Sequence, residues 1–217
     1  MEHSAKIENA DICSLADAGM NDQEEVFASI NPADIRDVLF ATSCGDKSTS
    51  VESSSTADVD TTDEGRVTAL IEAVREGNID RVKALLATNV DIDSGIMDED
   101  GFTVLTVAAY NGRTACLQLL LDAKADISDA NKNGDTALIL AASEGYPECP
   151  QLLLDAKADI DVMNKDGHTA LLLAAWNGHT NCLQQLLDAK ADIVIADDTG
   201  DTPLMAAAFQ GHTECLR

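Results

Sequence analysis

The chain has 217 residues, with 14 Lys+Arg against 39 Asp+Glu, a formal net charge of −25 and 3% aromatic residues. That charge repels phosphate backbones and anionic bilayers, so neither nucleic acid nor a membrane surface is expected as a partner. No apolar run approaches the roughly 18 residues of a membrane helix, and Met1–Glu8 lack a signal peptide's basic start and apolar stretch, which points to a cytoplasmic or nuclear protein.

Residues 1–64 carry 15 Asp+Glu against 3 Lys+Arg and few apolar side chains, so they cannot bury enough surface to fold and are expected to be mostly disordered. One short helix is predicted near 32–41. Asn31 caps it, Pro32 sits at its first position, and Ile35, Val38 and Leu39 share one face. The Ser-, Thr- and Asp-rich stretch from Cys44 to Glu64 reads as a linker.

From Gly65 onward the pattern becomes periodic. Gly101, Gly134, Gly167 and Gly200 recur every 33 residues, the mark of a solenoid. Each glycine is followed two positions later by Thr103, Thr136, Thr169 or Thr202, which can cap the helix that follows. In the copy beginning at Gly167, Leu171, Ala174 and Ala175 lie at helical spacing and Gly178 ends that helix. A second helix then presents Cys182, Leu183, Leu186 and Leu187. Asp197-Asp198-Thr199-Gly200 suits a turn into the next copy. The units are 65–100, 101–133, 134–166, 167–199 and an incomplete 200–217.

Two local features stand out. Pro147 and Pro150 fall where the third unit's second helix begins, and they predict a shortened helix there. The first unit has a longer, more acidic turn, Asp93–Asp100, and more charge on its helices, as expected of a terminal unit facing water. The last unit stops mid-pattern, which suggests a fragment with more sequence beyond Arg217.

These residues resemble the ankyrin repeat, a 33-residue unit of a β-turn and two helices with a Thr-Pro-Leu-His-x-Ala signature. Thr202-Pro203-Leu204-Met205-Ala206-Ala207 is the nearest match. The resemblance implies an all-α ankyrin-repeat solenoid, with helix-turn-helix pairs joined by β-turn or hairpin loops. The signature histidine is replaced in every copy by Thr106, Ile139, Leu172 or Met205, so its usual hydrogen bonds are missing or remade. Lys124, Lys157 and Lys190 stand where the family favours glycine after the second helix. A left-handed L-residue there costs about 1 kcal/mol, and a cation near a helix C-terminus returns a few tenths.

Cys116, Cys149, Cys182 and Cys215 repeat at the same interval and so sit on successive helices, roughly 10 Å apart. That spacing is too wide for one metal or a disulfide, and they read as small buried hydrophobes. No nucleophile elbow, phosphate loop or metalloprotease motif is present. Neither catalysis nor a cofactor or metal is expected.

The resemblance implies that partners are bound through turn tips and the concave ends of the first helices. The candidate residues are Phe102, Tyr110 and Asn111; Lys132, Asp135 and Glu144; Lys165, His168, Trp176 and Asn177; and Asp198, Asp201, Phe209 and Gln210. Tyr110, Trp176 and Phe209 fall in one column interrupted by Ser143. They serve either as interface anchors or as packing over their own helix ends. The function read from the chain is a monomeric, non-catalytic scaffold or adaptor for a protein with a basic patch. The alternative is the targeting portion of a larger enzyme, of kinase or ubiquitin-ligase type.

Overall fold

Threonine hydroxyls set the starting points of the first helices throughout. The computed structural model describes residues 62–217; the acidic arm 1–61 and the helix expected near 32–41 lie outside the described residues. Thr62, Thr103, Thr136, Thr169 and Thr202 are extended, and each side chain accepts the amide three residues on, at 3.1–3.4 Å. One amide that no helical carbonyl can reach is thereby satisfied at each start.

These caps launch α1 (Asp63–Glu76), with its second helix α2 (Ile79–Leu86), then α3 (Val104–Tyr110) with α4 (Thr114–Asp122). The third pair is α5 (Ala137–Glu144) and α6 (Glu148–Asp155), and the fourth is α7 (Ala170–Asn177) and α8 (Thr180–Asp188). The fifth unit has α9 (Pro203–Gln210) and a single 3₁₀ turn, Thr213–Leu216. Among the described residues the chain is helical, and the hairpin loops form one isolated bridge, Ala130 to Thr136. The first helix starts at Asp63, because Thr62 supplies its cap.

The first helices form the inner layer. Ala108, Ala109, Ala141, Ala142, Ala174 and Ala175 are essentially fully buried, and their small side chains let neighbouring helices approach closely. Second helices cover this layer with a single stripe, Cys116, Leu117 and Leu120 on α4 and Cys182, Leu183 and Leu186 on α8. One continuous core results, running from Val67 to Ala207. Cys116, Cys149 and Cys182 are buried in it as expected, whereas Cys215 is half-buried. Burial, with weaker repulsion from Cys149 and Glu148, pushes the Cys182 thiol up to about 11, so it stays protonated and unreactive.

The two prolines sit at the start of α6, where the chain tolerates them. The second helix α6 spans 8 residues, as does the proline-free α2, against 9 in α4 and α8, with Pro147 in the cap position and Pro150 buried in its first turn. The signature histidine's bonds are remade unevenly. Thr106 donates its hydroxyl to the Thr103 carbonyl at 2.9 Å, while Ile139 and Leu172 are buried to 1% and contribute packing instead.

Lys124, Lys157 and Lys190 do adopt the left-handed conformation, with φ of 70°, 74° and 73°. Each closes a Schellman motif. Lys124 donates to Leu121 and Ala125 to Leu120; Lys157 donates to Leu154 and Ala158 to Leu153; Lys190 donates to Leu187 and Ala191 to Leu186, all at 2.9–3.0 Å. Among the described residues no helix is long and apolar enough to cross a membrane.

Candidate functional site

Each turn tip is organised by one short polar side chain: Asp98, Asn131, Asn164 or Asp197. The Oδ1 atoms of Asn131, Asn164 and Asp197 each accept two amides of their own turn, from Asn133 and Asp135, Asp166 and His168, and Thr199 and Asp201, at 2.8–3.0 Å. Asp98 Oδ1 accepts from the Phe102 amide at 2.8 Å and its other oxygen pairs with Arg75. The same residue's amide donates across the turn, from Asp98 to Phe102, Asn131 to Asp135, Asn164 to His168 and Asp197 to Asp201. The tip is therefore clamped from both sides, as expected for Asx turns.

Adjacent tips are tied to one another. Lys132 donates its amide to the Gly101 carbonyl, Lys165 to Asn133 and Asp198 to Asp166. The lysine side chains lean back the same way, Lys165 Nζ donating to the Lys132 carbonyl at 2.6 Å and Lys132 Nζ to Glu99 at 3.4 Å. Asp198 cannot repeat that contact, since a carboxylate has no proton to donate.

Asp135 turns inward. It is 9% exposed and accepts from Asn131 Nδ2 at 3.0 Å in its own turn and from Asn164 Nδ2 at 2.7 Å in the next turn. Its place in the tip column is thus a strut between units. His168, one unit on, makes the corresponding reach with its ring, Nε2 lying 3.7 Å from Asp197 Oδ2. Burial pulls the Asp197 carboxyl up, but bonds from Asp201 and Thr199 and the nearby His168 ring outweigh it and hold its pKa below the ordinary value. Asp201 accepts from the Thr199 hydroxyl at 3.3 Å and is half-exposed, while Asp198 is exposed.

The rings fall into two pairs. Phe102 and Tyr110 meet within one unit, centroids 5.1 Å apart and tilted by 36°, and both pack on the core. Trp176 and Phe209 stack across the fourth and fifth units at 6.1 Å and 27°. Phe209 is 82% exposed and Trp176 half-exposed. Ser143 holds the column position between Tyr110 and Trp176, and its small side chain offers no ring to bridge them.

Asn111 donates to the Val107 carbonyl of its own helix, whereas Asn177 crosses to the Ser143 carbonyl at 3.0 Å. Glu144 and Gln210 are half-exposed at the ends of α5 and α9. Sequence reasoning missed a further column beside these. His179 Nε2 meets the Ser143 carbonyl at 2.9 Å, His212 Nε2 meets Trp176 at 3.0 Å, and Arg113 Nε donates to Arg75 at 3.1 Å. The side chains lie over Gly145, Gly178 and Gly77, and Tyr146 lies over Gly112 in the same manner. Their interval of 33 residues was the available signal.

Stacked helix pairs with a clamped hairpin tip per 33 residues define an α-helical repeat solenoid. A family model described as ankyrin repeats in three copies matches residues 38–131, 70–164, 121–197 and 151–217, and the chain belongs to the ankyrin-repeat family. A 56-residue stretch is 45% identical to YahD, an ankyrin repeat protein of Escherichia coli (strain K12), covering 26% of this chain and 27% of that protein. A 63-residue stretch is 41% identical to cortactin-binding protein 2 of Dasypus novemcinctus, covering 29% of this chain and 4% of that protein. The matches thus span about a quarter of one relative's length and a small fraction of the other's.

Proposed function

We propose that this protein is a non-catalytic, monomeric scaffold or adaptor of the cytoplasm or nucleus that binds another protein across its tips and first helices. The observation that carries this reading is the Trp176–Phe209 stack. A large ring 82% exposed, backed by an indole rather than left alone, is the composition of an interface anchor. Asp166, Asp198 and Asp201 lie on the neighbouring tips and Glu99 and Asp100 on the first, so that along the row these acids outnumber Lys132 and Lys165. Such a rim favours a partner with a basic patch and speeds its approach at low salt. Phe102 and Tyr110, being packed on the core, support the surface more than they read the partner.

The test is affinity capture from native lysate at low and physiological salt, comparing the chain with a Trp176→Ala, Phe209→Ala variant of unchanged circular dichroism. One protein retained by the chain, lost from the variant and weakened by salt is the expected outcome. Identical capture by both would overturn the role of the ring pair.

A further inference from the structure

Away from the tips, a groove of about 580 Å³ opens between the second and third units. Ala125, Ile127, Ala158 and Val162 give it an apolar floor, with Asp126 and Asp159 on its rim. It opens at the seam that lacks a strap present at two others. Asp93 Oδ1 accepts from the Asp126 amide of the next unit at 2.8 Å, and Asp161 Oδ1 accepts from the Asp192 amide at 2.9 Å. Ser128 occupies the equivalent place in the second unit, but its hydroxyl donates to Asp126 Oδ1 in its own unit, at 2.6 Å. Among the described residues no side chain accepts from the Asp159 amide, which sits on an exposed residue at the groove's edge.

We infer that this groove docks an extended segment of a partner protein that carries one aliphatic side chain beside a lysine or arginine. The aliphatic group fills the floor, a backbone carbonyl of the segment accepts from the Asp159 amide where Asp93 and Asp161 act at the other seams, and the cation meets Asp126 and Asp159. Lys157 is the one cation in the lining, and against the chain's net charge of −25 it does not reverse the preference for a basic segment. Nearby, burial and then the charges of Asp126 and Asp93 raise the Asp129 carboxyl, so an added cation relieves a repulsion already present. This surface is separate from the tips, and its failure leaves the ring-pair reading untouched.

The probe is the peptide acetyl-Gly-Lys-Leu-Lys-Gly-amide, titrated into the isotope-labelled full chain and followed by amide NMR. Shifts centred on Asp126, Ile127, Asp159 and Val162 are expected, with no such pattern when the peptide's leucine is glycine or its lysines are glutamate. Ser128→Asp separates hydrogen bonding from charge. It restores the strap and should weaken the peptide roughly fivefold, the loss of about one hydrogen bond, whereas simple attraction to an acidic surface would make it bind tighter. Equal or tighter binding by Ser128→Asp, equal binding of the leucine-free peptide, or shifts spread over the acidic surface would overturn the inference.

Discussion

Replacing Lys124, Lys157 and Lys190 together by glycine is expected to raise the stability of the stack by about 2 kcal/mol, or a melting shift of roughly 4–8 °C. All three residues hold φ of 70–74°, where the Cβ of an L-residue crowds the following carbonyl at about 1–2 kcal/mol each. Glycine removes that crowding. It also frees more backbone entropy in the unfolded chain and forfeits a cation near a helix C-terminus, which together leave somewhat under 1 kcal/mol net per site. The Schellman bonds are made by backbone amides and survive the change. Alanine at the same three positions is the control, since it removes the charge but keeps the Cβ. A thermal melt in which the alanine variant matched the glycine variant would place the effect in the charges. Asn89, at φ 53°, holds a left-handed position in the first unit and needs no change, because asparagine tolerates this conformation.

Gly145→Ala is expected to act in the opposite direction, costing about 2–3 kcal/mol. Gly145 has φ +78°, and a Cβ built there would lie 2.3 Å from His179 Nδ1. The substitution therefore combines the left-handed penalty with displacement of a ring that bonds the Ser143 carbonyl across the seam, a bond of about 1 kcal/mol. Gly211 separates the two contributions. It caps α9 at φ +75° with nothing within 4 Å of its Cβ position. Gly211→Ala should therefore show the conformational part alone, about 1–2 kcal/mol. Denaturant titration of the pair decides it, and equal losses would mean that the His179 clasp contributes nothing.

The parts of this fold that were legible in sequence depend on one residue acting locally. A threonine at a helix start and two prolines in the opening turn of α6 each follow from rules that need no neighbour, whereas the left-handed lysines follow from the resemblance to the repeat family. The 33-residue interval supplied the neighbours' identity, and with it the stacked cysteines. What stayed hidden depends on where a side chain turns. Asp135 sits in the tip column yet points into the seam, because Asn131 and Asn164 offer it two amide donors that water would otherwise have to satisfy. The tip clamp was obscured because aspartate serves at two tips and asparagine at the other two, and only their shared side-chain oxygen matters. The contacts of the aromatic column were not foreseen. Tyr110 finds Phe102 inside its own unit, and Trp176 stacks on Phe209 of the next unit, with Ser143 offering no ring on the other side.

The most direct measurement is hydrogen–deuterium exchange of the full chain with and without the partner recovered by capture. Binding across the tips and first helices should slow exchange in the segments around 165–177 and 198–210, with weaker protection at 132–144 and 102–111. Protection confined to the second helices, around 114–122 and 180–188, would contradict the assignment of this face.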